Sequence, residues 1–186
     1  ACILQPEVTE GPYYLDVNKV RSDITEGRPG IPLALKLVVV DAAGCLPIKD
    51  AVVDVWHCDA GGDYSGVSGV AGTFLRGTQV SDGAGVVQFN TIFPGWYRGR
   101  AVHIHLKVHV GGSVVHTGQL FFDDAVLAAV STRAPYSSRG APDQSNSSDS
   151  IFRQSGGSKA IVPVTEQGSG YAGAITLGVQ GGQGIQ

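Results

Sequence analysis

The segment Pro94–Val110, PGWYRGRAVHIHLKVHV, decides how the rest of the chain is interpreted. Its second half predicts a β-strand, because apolar and polar residues alternate there. The apolar members are Val102, Ile104, Leu106, Val108 and Val110. Successive side chains of a strand point to opposite faces, so His103 and His105 share one face, roughly 7 Å apart along the backbone. Two imidazoles at that spacing can bind one metal ion.

Two tyrosines extend this candidate metal site. Tyr97 follows the Pro94-Gly95 turn signal just before the strand, and Tyr64 lies in a glycine-rich loop after another predicted strand. Strand ends and loops gather at the rim of a β-sandwich, where binding sites are usually built. A tyrosine, with an ordinary pKa near 10, ionises at neutral pH only beside a strong Lewis acid. Two tyrosines with two histidines therefore indicate Fe(III), although each residue alone has an ordinary interpretation as a surface histidine or a turn aromatic.

Composition limits the classes of protein to consider. The chain has 186 residues, 42% of them hydrophobic, and a net charge of -3. This predicts one globular domain over 1–180 and a tail or the start of a linker over 181–186. With no basic stripe and no long apolar run, neither nucleic acid nor a membrane is an expected partner.

The order of apolar segments and turn signals predicts an all-β fold. We expect a β-sandwich of prealbumin- or immunoglobulin-like topology, with long loops and one or two short helices. Two hairpins are predicted in the first half, pairing 33–41 with 51–58 and 74–80 with 86–89, and a third pairs 101–110 with 114–122. A helix is predicted over 123–132, and closing strands over 161–165 and 171–179. The Ser-, Gly- and Pro-rich segment 133–158 predicts a functional lid or a segment without fixed structure.

The three cysteines leave two interpretations open. They are Cys2, Cys45 and Cys58, so at least one thiol has no partner within the chain. The first predicted hairpin separates Cys45 from Cys58 by more than the roughly 7 Å that a disulfide spans between Cα atoms. Cys2 pairing with one of the other two, and three free thiols, both remain open.

Several segments together resemble the intradiol ring-cleaving dioxygenases, the family of catechol and protocatechuate dioxygenases. They span residues 9–122 in the family's order, and their combination is specific although each alone is weak. The segments are TEGPYY at 9–14, AVVDVWHCDAGGDY at 51–64, FPGWY at 93–97, RAVHIH at 100–105 and TGQLFF at 117–122.

This resemblance implies a role for each matching residue. Non-haem Fe(III) would be held by Tyr64, Tyr97, His103 and His105 together with hydroxide. Tyr97 would be displaced by the substrate and take one of its protons. Arg100 would stabilise negative charge that develops on the substrate, and Gln119 would line the pocket for O2 and the intermediates. Gly11, Pro12 and Tyr13, with Arg100, would lie beside the substrate.

The same resemblance implies an activity and a setting. The expected reaction is cleavage of a catechol by O2 between its two hydroxyl-bearing carbons, giving a cis,cis-muconate. The His57-Cys58-Asp59 context and the cysteine at position 2 are most similar to the secreted branch of the family, which predicts extracellular degradation of lignin-derived aromatics. One chain carries all the matching segments, so we expect it to be self-sufficient and compatible with a monomer. A carbohydrate-binding module outside this chain stays open.

Two other classes of function compete with this interpretation. A transthyretin-like binding module would keep the scaffold and bind no iron. A hydrolase with zinc or copper at His103 and His105 would leave the tyrosines without a role. The sequence does not name the preferred catechol, whose specificity we expect to depend on residues 10–15, 65–76 and 133–158.

Overall fold

Two four-stranded sheets form a sandwich in the computed structural model, which describes residues 2–181. The first sheet has the order β4-β1-β8-β7 and the second the order β3-β2-β5-β6. The strands are β1 (Pro32–Asp41), β2 (Val52–Trp56), β3 (Arg76–Val80), β4 (Val86–Ile92), β5 (His103–Val110), β6 (Ser113–Phe121), β7 (Val164–Gln167) and β8 (Gly170–Val179). The all-β sandwich predicted from the sequence is confirmed.

The core lies between the two sheets and follows the predicted alternation. Ile104, Leu106 and Val108 of β5 are buried against the facing sheet, where β1 contributes every second residue from Leu33 to Val39. The alternation leaves His103 and His105 on the opposite face of β5. These two histidines are nevertheless buried, because loops cover that end of the second sheet.

Two of the three predicted hairpins are wrong. β1 pairs antiparallel with β4 and parallel with β8, whereas β2 pairs with β3 and β5, so β1 and β2 belong to different sheets. β3 and β4 are likewise in different sheets, and the turn at Asp82 carries the chain from one to the other. Alternation specifies which face of a strand is buried but not which strand lies beside it. The third hairpin, β5 with β6 around Gly111-Gly112, is confirmed.

Helices are few and short, as expected. The helix α1 (Asp124–Ser131) begins after Asp123, whose carboxylate accepts a hydrogen bond from the Ala125 amide. Segment 133–158 has defined local structure, so the expectation of a segment without fixed structure is wrong. It contains α2 (Ser150–Gln154) and single 3-10 turns at Tyr136–Ser138 and Asn146–Ser148, and a further 3-10 turn, Gly157–Ala160, begins at its end. No helix within residues 2–181 is long and apolar enough to cross a membrane.

The cysteine question has a definite outcome. Cys2 and Cys45 form a disulfide with Cα atoms 5.4 Å apart, and Cys58 is a buried free thiol. Of the two interpretations left open, pairing of Cys2 is therefore correct and the interpretation with three free thiols is wrong.

The domain boundary at residue 180 stays a prediction. Of the predicted tail at 181–186, residues 182–186 lie outside the described residues.

We predict that thiol titration of the denatured protein finds one reactive thiol, Cys58, without reductant and three after reduction. Burial raises the pKa of the Cys58 thiol to about 12, so the native protein should react slowly. Ellman's reagent under native, denaturing and reducing conditions measures all three states. Three thiols in the denatured, unreduced protein would contradict the Cys2–Cys45 pairing.

Candidate metal centre

The two histidines of β5 place their ring nitrogens side by side. His103 Nε2 lies 3.0 Å from His105 Nε2, a separation that suits two nitrogens each bonded at about 2.0–2.1 Å to one ion. His103 Nδ1 is 2.7 Å from the Ala101 carbonyl oxygen. Because a carbonyl only accepts, His103 carries its proton on Nδ1, which leaves the Nε2 lone pair for a metal.

His105 is positioned by packing instead of a hydrogen bond. Its ring stacks on the Trp56 indole with the two planes 5° apart and the centroids 5.0 Å apart. Its Nδ1 atom is buried and has no hydrogen-bond partner among the described residues. On another side the ring meets Gly11, where an added Cβ would lie 3.3 Å from His105 Cε1. Gly11 also has a φ of +71°, so a side chain there would be strained as well as crowded.

Two packed turns bring the tyrosines to these histidines. Asp59 accepts hydrogen bonds from the amides of Gly61 and Asp63, which folds the loop before Tyr64. Gly95 packs on that loop so closely that an added Cβ would lie 2.3 Å from the Ala60 carbonyl oxygen. This contact of the 57–66 and 94–97 segments sets Tyr64 and Tyr97 beside each other.

The four side chains converge on one small volume. The Tyr64 hydroxyl lies 3.5 Å from His103 Nε2. The Tyr97 ring is 5.6 Å from the His103 ring and 5.8 Å from the Tyr64 ring, measured between centroids. Tyr64 is buried, whereas Tyr97 is partly exposed. The structure therefore brings together all four residues that the sequence predicts as metal ligands, and Tyr97 is the one at the open side.

The electrostatics of this donor set suit a metal ion. Burial lowers the pKa of His103 to about 3, helped by the Arg100 charge, and burial likewise lowers the pKa of His105 well below its usual value. Both imidazoles are neutral at pH 7 and present lone pairs. Burial raises the pKa of Tyr64 well above its usual value, and that of Tyr97 also rises. Only a strong cation nearby would ionise these tyrosines, so the residues fit Fe(III).

The described residues hold no group of three or more His, Cys, Asp or Glu side chains placed to bind a metal. Structural zinc sites normally draw four such ligands, and catalytic zinc sites at least three. The histidine pair therefore completes a metal site only with the phenolic oxygens of the tyrosines. The zinc version of the hydrolase interpretation therefore has little support in this arrangement.

Arg100 and Gln119 lie together beside the histidines. Arg100 Nη2 donates to Gln119 Oε1 at 2.6 Å, and Gln119 is the β6 residue paired with His105. Gln119 Nε2 in turn donates to the Thr9 carbonyl oxygen, which ties the segment before Gly11 to the sheet. The structure thus places both predicted side chains next to the histidine pair.

Sequence reasoning missed Asp149, which orients Arg100. One oxygen of its carboxylate accepts from Arg100 Nε at 2.9 Å and from the Ala101 amide at 2.8 Å. The other oxygen caps α2 through the amides of Ile151 and Phe152. These contacts hold the pKa of Asp149 below its usual value although burial opposes them. An aspartate immediately before a short apolar helix is a capping signal, and it was the only trace of this residue in the sequence.

Sequence reasoning also missed Arg76, a fully buried residue of β3. Arg76 Nη1 donates to the Tyr13 carbonyl oxygen, while Nε and Nη2 donate to the Ser65 carbonyl oxygen. The guanidinium thus joins the segment that carries Tyr13 to the residue after Tyr64.

Of the three predicted substrate contacts near the start of the chain, Gly11 and Tyr13 reach the site. Pro12 is exposed and does not line the adjoining cavity.

We predict that Arg76→Met lowers the free energy of unfolding by about 3 kcal/mol, because buried acceptors lose their charged donor. Arg76→Lys, which keeps the charge but not the planar fork, should lose less. Urea denaturation of the metal-free protein measures both, with the exposed Arg98→Met as control. A loss in Arg76→Met no larger than in the control would contradict this assignment.

Comparison with known proteins agrees with the geometry. A family model described as "Dioxygenase" matches residues 9–136. The chain is 38% identical to an intradiol ring-cleavage dioxygenase from Tetranychus urticae, with a TM-score of 0.91 over 96% of this chain and 94% of that one. It is 29% identical to the dioxygenase domain of a dioxygenase carbohydrate-binding protein fusion from Streptomyces sp. SirexAA-E, with a TM-score of 0.76 over 97% of this chain and 100% of that one.

A curated relative is named for a catechol substrate. The chain is 29% identical over 136 residues to a chlorocatechol 1,2-dioxygenase from Pseudomonas sp. strain P51, a match that covers 61% of this chain. The chain spans about half the length of such relatives, 54% in this case. Family match, structural neighbours and the convergent tyrosine–histidine set together show that the chain belongs to the intradiol ring-cleavage dioxygenase family.

Proposed function

We propose that the protein is a non-haem Fe(III)-dependent dioxygenase that cleaves catechols between their two hydroxyl-bearing carbons. The observation that carries the proposal is the convergence of two tyrosines and two neutral histidines at one end of the second sheet. Tyr64, Tyr97, His103 and His105 would hold the iron. When bound, Fe(III) would supply a Lewis acid that favours the deprotonated catechol and makes its ring reactive toward O2.

The protein side chains then handle protons and charge. Tyr97, the more exposed of the two tyrosines, would be a phenolate beside Fe(III) and could therefore accept a proton from a catechol hydroxyl at its Oη atom as the substrate binds. Tyr64, buried against His103, stays in place. The Arg100 guanidinium is held by Asp149 and Gln119, so it meets negative charge that develops on the substrate without a costly reorientation.

Product analysis tests the proposed reaction. The iron-loaded protein is incubated with catechol in air, and ring-opened acids are identified by NMR and mass spectrometry. The expected product is cis,cis-muconate with both atoms of one O2 molecule incorporated. Cleavage outside the pair of hydroxyl-bearing carbons, or no oxygen uptake at all, would contradict the proposal. In the second case a binding module on the same scaffold would be the better account.

We further propose that the protein is secreted and acts on lignin-derived aromatics. The Cys2–Cys45 disulfide supports an oxidising compartment, because such bonds are rare where thiols are kept reduced. The Streptomyces relative is a fusion with a carbohydrate-binding protein in a cellulolytic bacterium, which supports a setting of plant cell-wall breakdown. Fractionation of the native host, with an antibody against this chain, should find it in the medium. Retention of the protein inside the cells would contradict the proposed export.

A further inference from the structure

A cavity of about 180 Å³ opens beside Tyr64 and Tyr97. Its lining also includes Tyr13, whose ring is 4.7 Å from that of Tyr64, and the apolar side chains of Val67 and Val70. A catechol whose hydroxyls face the two tyrosines would therefore turn its ring and substituents toward this lining. Segment 133–158, which the sequence left as a candidate for specificity, contributes no residue to it.

The charge of the lining has one sign. Asp63 is the only lining residue with a formal charge, and the other polar groups of the lining side chains are the hydroxyls of Ser68 and of the three tyrosines. Asp63 is exposed and forms no ion pair within residues 2–181. No lysine or arginine is part of the lining.

The nearest cations are already engaged elsewhere. Arg139 passes beside Gly62 but donates to the Trp96 carbonyl oxygen and stacks over the Trp96 ring at 4.2 Å. Arg100, beside the histidines, is paired with Asp149 and Gln119. Neither guanidinium is among the residues that line the cavity, and each already has an acceptor. A carboxylate at the cavity wall would lose hydration, gain no cationic partner from the lining and face Asp63.

We infer that this cavity selects catechols with uncharged or cationic substituents and rejects carboxylated ones, with Asp63 as the residue that sets this preference. The inference rests on the proposed dioxygenase function and adds the substrate class to it. Rejection of this kind works by placing an unfavourable charge against the competing ligand.

A matched pair of substrates separates charge from shape. 3,4-Dihydroxybenzoate and 3,4-dihydroxybenzamide have nearly the same size, and both carry a carbonyl on the ring, but only the acid is charged. We expect kcat/KM to be at least about tenfold higher for the amide, with the difference mainly in KM. The ratio should shrink in 1 M salt, where charges are screened beyond about 3 Å.

Variants assign the preference to one side chain. Asp63→Asn should raise the acid-to-amide ratio about fivefold, and Asp63→Lys should raise it further. Glu166→Gln removes an exposed negative charge from β7 in the other sheet and should leave the ratio unchanged. A wild-type protein that cleaves both substrates equally, or an Asp63→Asn ratio equal to the wild-type one, would overturn the inference.

Unsubstituted catechol serves as the reference substrate, because it separates the two levels of the proposal. Wild-type protein that cleaves catechol but does not distinguish acid from amide retains the proposed function and overturns only the substrate preference. Iron-loaded protein that cleaves none of the three overturns the proposed function, and the preference with it.

Discussion

Replacing His105 with alanine is expected to abolish iron retention and to lower catechol cleavage by about 1000-fold or more, equivalent to about 4 kcal/mol. His105 contributes one of two adjacent Nε2 atoms, and its loss leaves His103 as the sole nitrogen donor facing the tyrosines. Iron content by elemental analysis and oxygen uptake with catechol measure the two effects separately.

His109→Ala is the matched control for this experiment. His109 lies on the same strand and the same face as His105, but its Nε2 pairs with Asp54 Oδ2 at 2.9 Å and not with any of the four proposed ligands. This variant should keep its iron. If His105→Ala retained full iron content and turnover, the assignment of β5 histidines as metal ligands would fail.

Replacing Arg100 with methionine is expected to reduce kcat by roughly 100- to 1000-fold, the usual cost of removing one charge-stabilising group from a site. Iron should remain bound, because Arg100 contacts Asp149 and Gln119 and is not one of the four proposed ligands. Arg100→Lys should recover part of the rate, since it restores the charge but lacks the planar guanidinium that reaches Asp149 and Gln119 through two separate nitrogens.

Asp149→Asn tests the same network from its other end. The amide can accept only through its oxygen, so the hydrogen bonds now shared by Arg100, Ala101 and α2 would be reduced. We expect kcat to fall while KM changes little, with Arg98→Met as the control.

For the first of these variants, an Arg100→Met enzyme with the kcat of the wild type would contradict the proposed role of Arg100.

Local patterns accounted for much of this molecule. Alternation in β5 indicated both the buried face and the shared face of His103 and His105. The turn signals at Gly111-Gly112 and the acids before α1 were also interpreted correctly. These features depend on residues close in sequence, whose geometry is fixed by strand and helix periodicity.

Long-range pairing was not accessible in the same way. The partners of β1 are β4 and β8, and nothing in its own sequence distinguishes them from β2. Arg76 and Asp149 were missed for a related reason, since each acts through backbone groups of distant segments. Carbonyl and amide partners leave no pattern of side chains along the chain. Pro12 was included through the family likeness alone, and the structure leaves it outside the cavity.

The central claim is that two tyrosines and two histidines hold ferric iron that binds catechol directly. The most direct measurement is the visible absorption spectrum of the ferric-loaded protein, before and after catechol is added without oxygen. The account predicts a coloured protein, from tyrosinate bound to Fe(III), whose band shifts when catechol binds. A protein that stays colourless after ferric loading and after catechol addition would contradict it.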